Sequence, residues 1–390
     1  MRKSYKTLPF ILLAIFMLVR HNSVDLSSFQ NSFLDNSSPL IRYEGRILAT
    51  DSSMRMDYPG TRFAIGVEGA GKVYASLKPN AGYYILFVDG KERARINTHE
   101  APKVSRLSSM RSLSLVDTCE TLRDGADSYF LDSLGEGKHE IELMLISEGI
   151  FCQPAFYGFE YEGEMSWFAL ERRPHRLEFI GNSITCGYGV EAADENCAFN
   201  DSTSNFAKSY AFLTAKAFDA EMMVVARSGI GVYRNYDDKP EGSLRPMPIV
   251  YRNVLISEEE TQWDFSSYRP DLLIVNLGTN DLSTPGFRME LLDSTYRAFL
   301  SELRGNYPDS KIVLLTGCML HPTPVLDEFR SRLDTIVAER KRMGDEQLFR
   351  LDFEPQDGSL GYGADWHPSK LQQQKMADTL IPFVSSVMGW

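Results

Sequence analysis

The 390-residue sequence has no excess of basic residues. It contains 41 Lys and Arg against 53 Asp and Glu, which gives a formal net charge of -12. A surface with this charge repels polyanions, so nucleic acid and anionic membrane surfaces are not expected partners, whereas neutral or cationic ligands are possible. With 43% hydrophobic and 24% charged residues the composition is that of an ordinary globular protein. The length favours two domains over one.

Cysteine is scarce, and none precedes Cys119, so a lipid-modified cysteine near the start of the chain is not expected. No two cysteines have zinc-finger spacing, and we predict neither a metal nor a cofactor. An odd number of cysteines leaves at least one thiol free. Cys186 could pair with Cys197 and Cys119 with Cys152, but the sequence leaves the connectivity open. The five are Cys119, Cys152, Cys186, Cys197 and Cys318.

The apolar run near the start of the chain, Leu8 to Val19, is too short to cross a bilayer comfortably. Three basic residues precede it, which is the pattern of a secretory signal. We predict a signal peptide over residues 1–22, a leader or linker over 23–39, and a secreted or periplasmic protein with no membrane association beyond the export signal. An uncleaved anchor is the alternative, because no clear small-x-small cleavage site follows.

Residues 40–166 contain short apolar or alternating runs bounded by Gly, Asp and Pro. Asp89 and Gly90, between ILFV and KERARI, are typical of a tight hairpin turn. Closely spaced strands without a long helical pattern predict an antiparallel β-sandwich of the jelly-roll kind.

Residues 172–390 alternate apolar strands with amphipathic helices, which predicts a parallel sheet covered on both faces. In such sheets the chemistry lies in the loops after the carboxyl ends of the strands. Strands are expected at 176–180, 221–226, 271–277, 311–316 and 348–353, and helices at 205–218, 289–303, 324–342 and 369–387.

The segment FIGNSITCGYG, residues 179–189, ends the first of these strands and places Ser183 in the following turn. A serine in this position often caps a helix instead of acting as a nucleophile, and its hydroxyl needs a base to attack at neutral pH. Of the six histidines, His367 follows the fifth strand, where the chain returns to the same edge. His367 is therefore the candidate base, with a surface or capping role as the alternative.

Ester hydrolysis also requires donors for the tetrahedral oxyanion. Gly229 follows the second strand, and Asn280 follows the third. We predict an oxyanion hole formed by the main-chain N–H groups of Ser183 and Gly229 and the side-chain amide of Asn280. Gly229 could instead simply form a turn, and Asn280 could form an Asx turn or cap a helix.

The four segments GNSITCGYG, RSGIG, GTND and DWHPS resemble, in order, the signature blocks of the SGNH or GDSL-type hydrolases. The resemblance implies a flavodoxin-like α/β/α hydrolase domain that needs no metal. It also implies that Ser183 is the nucleophile, Gly229 and Asn280 are oxyanion donors, and His367 is the general base. The first block, together with the β-rich half, resembles carbohydrate esterase family 2 more narrowly. Members of that family remove acetyl groups from plant-wall polysaccharides.

The sequence departs from the general family at two positions. Asn182 replaces the aspartate of the first block, and Ala364 stands where the family has the acid that precedes the histidine by three residues. The nearest acid is Asp365, two residues before His367, and we assign it to the triad. In the alternative, a main-chain carbonyl orients the imidazole and Asp365 is structural.

The resulting prediction is a serine esterase that removes O-acetyl groups from xylan-type or glucomannan-type polysaccharides. Trp366, Tyr188 and Tyr233 are candidates for contacts with sugar faces, although aromatic residues commonly belong to the core. A lipid or thioester hydrolase on the same fold is one alternative, disfavoured because no long apolar lid-like stretch accompanies the four loops. A noncatalytic glycan-binding protein is another. The β-rich half is expected to be either a carbohydrate-binding module or, as we favour, a packing partner.

Overall fold

The computed structural model describes residues 32–101 and 125–390. The predicted signal peptide, most of the predicted leader and Cys119 lie outside these ranges. Across the two described ranges, no helix combines the length and the apolar character that crossing a membrane would require.

The first domain is built from antiparallel strands. The predicted leader 23–39 extends too far, because residues 33–35 form a strand that pairs with the last strand of the domain, Phe33 opposite Glu160. That last strand also continues past residue 166, to Phe168. The strands are β1 Phe33–Asp35, β2 Arg42–Glu44, β3 Leu48–Ala49, β4 Met54–Arg55, β5 Arg62–Leu77, β6 Tyr83–Val88, β7 Lys91–Asn97, β8 Asp127–Leu134, β9 Lys138–Leu145 and β10 Ala155–Phe168.

Strand β5 joins two runs that the sequence separates at Gly69 to Gly71. Its first half pairs with β9 and its second half with β8, while β10 pairs with it from Gly66 to Leu77. Phe63, Phe156 and Phe159 lie at the centre of the core of this domain. Asp89 and Gly90 both have positive φ, 52° and 71°, and form the predicted hairpin turn between β6 and β7. The jelly-roll description remains a prediction.

The second domain confirms the predicted parallel α/β sheet. Its order is β12-β11-β13-β14-β15, and all four pairings are parallel. The strands are β11 His175–Gly181, β12 Ala220–Ala226, β13 Leu272–Asn276, β14 Lys311–Thr316 and β15 Leu348–Asp352; the helices are α1 Ser183–Cys186, α2 Tyr210–Ala217, α3 Met247–Val250, α4 Thr279–Leu282, α5 Met289–Asn306, α6 Pro324–Arg342 and α7 Lys370–Met388.

Successive residues of a strand point to opposite faces, so each face of this sheet has its own core. Leu177 and Phe179 of β11 pack in the cluster that contains residues of α2 and α7. Ile180 packs in the cluster that contains residues of α5 and α6. Burial on both faces explains why the strands read as continuous apolar runs.

Residues of the first domain contribute to both of these cores. Phe87 and Ile146 of the first domain lie in the cluster that contains α2 and α7 residues. On the other face, Arg46 forms a fully buried ion pair with Glu178 of β11, 3.4 Å from nitrogen to oxygen. The β-rich domain therefore packs directly against the strand that leads to Ser183.

Candidate active site

Strand β11 delivers Ser183 to the carboxyl edge of the parallel sheet as the first residue of α1. The Asn182 side chain caps this helix by accepting a hydrogen bond from the Ile184 N–H at 3.1 Å, so the cap needs no charge at this position. Only a glycine fits at Gly181, because a Cβ there would lie 2.0 Å from Thr185 Oγ1. The Ser183 hydroxyl is thereby held 2.9 Å from His367 Nε2.

His367 is oriented by the main chain. Its Nδ1 lies 3.0 Å from the Ala364 carbonyl oxygen and 3.2 Å from that of Asp365. Both oxygens can only accept, so Nδ1 carries the proton and Nε2 is left to accept from Ser183. This is the arrangement that a general base requires.

Asp365 does not contact the imidazole through its side chain, which corrects the triad assignment. Its Oδ2 instead accepts a hydrogen bond from the Tyr188 hydroxyl at 2.6 Å. The cause is local, because Asp365 has the left-handed conformation, φ 49° and ψ 42°, which leaves the carboxylate exposed while the carbonyl faces His367. The Tyr188 ring stacks on the imidazole with 4.0 Å between centroids.

Replacing Asp365 with Asn is expected to lower kcat by less than about tenfold. Asn tolerates the left-handed conformation and can still accept from Tyr188, and the two carbonyls remain to orient His367. In a triad oriented by a carboxylate, the same change costs about 10⁴-fold. Rates of acetyl-ester hydrolysis distinguish the two cases, and a loss of 10³-fold or more would restore the side chain to the triad.

Burial lowers the pKa of His367 to about 4, against the opposing effects of the two carbonyls and the Asp365 charge. A general base works when it is deprotonated, so activity is present above this pKa and lost as the pH falls through it. We expect kcat/KM to stay level from about pH 8 to about pH 5 and then to decline. A profile of initial rates with a midpoint near the ordinary histidine value of about 6.5 would contradict this account.

The predicted oxyanion donors lie beside this pair. Across the described residues, the N–H groups of Ser183 and Gly229 have no hydrogen-bond acceptor in the protein. The Asn280 Nδ2 donates to the Ile230 carbonyl at 2.8 Å, which leaves its second proton free. Gly229, Asn280, Ser183 and His367 line one open cavity of about 820 Å³. The geometry suits a serine nucleophile with a donor set for a developing oxyanion.

Two loops approach each other closely to bring His367 to Ser183. Gly189, just after α1, accepts a hydrogen bond from the Ala364 N–H at 3.1 Å. A Cβ at Gly189 would lie 2.4 Å from the Ala364 Cβ, so this approach requires glycine. Gly189, the last residue of the first segment, therefore helps to position the loop that carries His367.

Asp281 organises the loop after β12, a role that was not predicted from the sequence. Its buried carboxylate accepts hydrogen bonds from the N–H groups of Val232, Tyr233 and Arg234 at 2.8 to 3.0 Å. The signal available in the sequence was the position of Asp281 directly after Asn280 in GTND.

Two of the three residues predicted to contact sugars line the cavity, and the third does not. Trp366, which is 56% exposed, and Tyr188 line the cavity. Tyr233 does not, because it is buried and its hydroxyl oxygen accepts a hydrogen bond from the Arg288 N–H at 2.6 Å. Tyr236, 60% exposed, lines the cavity three residues further along. The path of the loop after β12 therefore determines which of these two tyrosines faces the cavity.

The disulfide suggested near the active site is not present. Cys186 and Cys197 are both free thiols, as are Cys152 and Cys318. Among residues 32–101 and 125–390, no three His, Cys, Asp or Glu side chains are grouped so that they could hold a metal ion.

The fold and this geometry define the class as a serine hydrolase of the α/β/α type. Residues 177–380 match the family model described as GDSL-like Lipase/Acylhydrolase. The chain is 30% identical over 369 residues to the cellulase/esterase CelE of Acetivibrio thermocellus, an alignment that covers 91% of this chain and 40% of that protein. It is 30% identical over 281 residues to an acetylxylan esterase / glucomannan deacetylase of Cellvibrio japonicus, covering 68% of this chain and 74% of that protein.

Among solved structures, a family two carbohydrate esterase from Clostridium thermocellum in complex with cellohexaose matches with a TM-score of 0.77 and 29% identity, covering 90% of this chain and 99% of that one. The chain belongs to the GDSL-like lipase/acylhydrolase family, and within that family it is similar to the carbohydrate esterases of family 2. The predicted resemblance is confirmed.

Proposed function

We propose that the protein is a serine esterase that removes O-acetyl groups from plant cell-wall polysaccharides of the xylan or glucomannan type. The observation that carries the proposal is the 2.9 Å contact of Ser183 Oγ with His367 Nε2, beside two N–H groups with no acceptor among the described residues. The names of the relatives, an acetylxylan esterase / glucomannan deacetylase and a carbohydrate esterase with bound cellohexaose, support an acetylated glycan as substrate.

In the proposed mechanism His367 takes the Ser183 proton while Ser183 Oγ attacks the acetyl carbonyl. The oxyanion accepts hydrogen bonds from the Ser183 and Gly229 N–H groups and the Asn280 amide, each worth about 3 kcal/mol. When the intermediate collapses, His367 gives its proton to the departing sugar oxygen and acetyl-Ser183 remains. Water, deprotonated by His367, then releases acetate and restores the serine.

The exposed aromatic residues at the cavity, Trp366 and Tyr236, support binding of a sugar chain across an open site. Aromatic faces contact the apolar faces of sugars, and the neutral polymer is not repelled by the acidic protein. The basic and then apolar start of the chain supports the further proposal that the protein is exported to meet this substrate.

Four apolar residues that also line the cavity, Met319, Leu320, Val325 and Leu326, keep a hydrolase for longer acyl chains as the second candidate. Acetate release from a panel of acetylated xylan, glucomannan and cellulose oligosaccharides, compared with release of octanoate from matched esters, distinguishes the two. We expect acetate release to be the faster by a wide margin. Faster octanoate release would favour the second candidate, and glycan binding without release of either acid would favour a noncatalytic protein.

A further inference from the structure

A carboxylate from the β-rich domain fixes the loop that carries Gly229. Glu148 follows β9 and is only 4% exposed. One of its oxygens accepts a hydrogen bond from the Ser228 N–H at 2.7 Å, and the other accepts from the Ser228 hydroxyl. Burial raises the pKa of Glu148, while both bonds from Ser228 favour the ionised form.

Gly229 needs such an anchor because its own conformation provides little restraint. It has φ 77°, and a Cβ at this position would meet no neighbour closer than 3.9 Å, so neither a side chain nor close packing restrains its peptide. The Ser228 carbonyl and the Gly229 N–H belong to one peptide unit, and the Glu148 bonds hold the residue just before it. On the other side, the Gly229 carbonyl accepts from the Tyr236 N–H at 2.8 Å.

Glu148 also lies against the helix that begins at Ser183. Burial and the nearby Glu148 carboxylate raise the pKa of the thiol of Cys186, the last residue of α1. The Glu148 carboxylate therefore lies near Cys186 of α1 and is hydrogen-bonded to Ser228 in the loop after β12, and these two elements supply the main-chain oxyanion donors.

We infer that Glu148 is a positioning residue for the oxyanion hole, so that the β-rich domain completes the active site of the hydrolase domain. The inference rests on the proposed function, because it gives the N–H of Gly229 a role in the reaction. It makes the first domain a part of the catalytic unit and not only a packing partner.

A purely structural role for Glu148 predicts a different result, and the chain offers a matched control. Asp57 is another carboxylate of the first domain, 2% exposed. It accepts hydrogen bonds from the N–H groups of Ile256 and Ser257 and from the Ser257 hydroxyl at 2.8 to 3.1 Å. It joins the same two domains in the same way, but neither Ile256 nor Ser257 lines the active-site cavity.

The test compares Glu148→Ala, Glu148→Gln and Asp57→Ala in the full chain. Kinetics with p-nitrophenyl acetate give kcat and KM, and thermal unfolding gives the loss of stability. We expect Glu148→Ala to lower kcat about 10- to 100-fold with KM within about twofold, since misaligning a donor costs less than the 10²- to 10³-fold of removing one. Asp57→Ala should destabilise to a similar extent and keep kcat within about twofold. Glu148→Gln should keep kcat within about threefold, because its amide can accept from the Ser228 N–H and donate to the hydroxyl oxygen.

Labelling of Ser183 by a fluorophosphonate tests this inference independently of the substrate. The phosphoryl oxygen of the label accepts hydrogen bonds from the proposed oxyanion donors, whichever ester the enzyme hydrolyses. We expect labelling of Glu148→Ala to be about tenfold slower than that of the parent and of Asp57→Ala. If Glu148→Ala does not fold, Ser228→Ala removes one of the two hydrogen bonds, with an expected loss of about fivefold in kcat and in labelling rate. Equal kcat and labelling rates for the Glu148 and Asp57 variants, or no effect of Ser228→Ala, would overturn the inference. Absence of acetyl-ester turnover by the parent, with labelling intact, would refute the proposed function alone.

Discussion

Replacing Ser183 with Ala is expected to reduce acetate release from acetylated polysaccharide by at least about 10⁴-fold, while leaving glycan binding intact. In the proposed mechanism the Ser183 hydroxyl oxygen forms the acyl bond, and no other described side chain lies within hydrogen-bond distance of His367 Nε2. The residual rate would come from the oxyanion donors and from binding alone. Acetate release at a single substrate concentration and calorimetric binding of an oligosaccharide of the proposed substrate measure the two effects separately.

Ser283→Ala is the matched control for this variant. Ser283 lines the same cavity, but its hydroxyl donates to the Thr279 carbonyl within α4 and takes no part in the contact with His367. We expect its rate to stay within about threefold of the parent, because an exposed or half-buried hydroxyl of this kind contributes about 1 kcal/mol or less. Full turnover by Ser183→Ala would refute the assignment of Ser183 as the nucleophile and, with it, the proposed mechanism.

Replacing His367 with Ala should lower kcat by about 10³- to 10⁴-fold, with little change in KM. In the proposed mechanism His367 acts as base in both half-reactions, so neither acylation nor deacylation can bypass it. Imidazole added to the buffer should restore part of the rate, since the variant leaves a space beside Ser183 that opens to the cavity. Initial rates with and without imidazole measure both effects.

His321 supplies the matched control, because it is exposed on the wall of the same cavity and has no described hydrogen-bond partner in residues 32–101 and 125–390. His321→Ala should stay within about threefold of the parent. A large loss of rate in this variant, with activity retained in His367→Ala, would point to His321 as the base and refute the assignment of His367.

The strand and helix pattern of the second domain was predictable because it depends on local sequence. Strands buried on both faces must be continuously apolar, and helices covering them must be amphipathic, so the expected strand at 311–316 and helix at 324–342 coincide with β14 and α6. The four catalytic-type segments were predictable for a related reason. In a parallel sheet every strand delivers its following loop to the same edge.

The first domain was predicted less completely. Residues 33–35 look like linker because three residues carry no periodicity, and their pairing partner, Glu160 and its neighbours, lies more than 120 positions away. The two apolar runs that form β5 also look separate in the sequence, because the glycines at 69 and 71 are typical of a turn. In the fold these glycines instead accommodate the close passage of β10.

By itself, the sequence determined the family and the two kinds of sheet, and it predicted that Ser183 and His367 meet at one sheet edge, because these depend on motifs and on periodicity along the chain. Only the tertiary structure decided how His367 is oriented, since the Ala364 and Asp365 carbonyls become acceptors for Nδ1 through the left-handed turn that places Asp365 toward Tyr188. It also decided that Tyr236 faces the cavity and that Glu148 reaches the loop of Gly229 from the other domain. Side-chain direction and contacts across a domain interface are set by packing between distant residues, which leaves no local signal in the sequence.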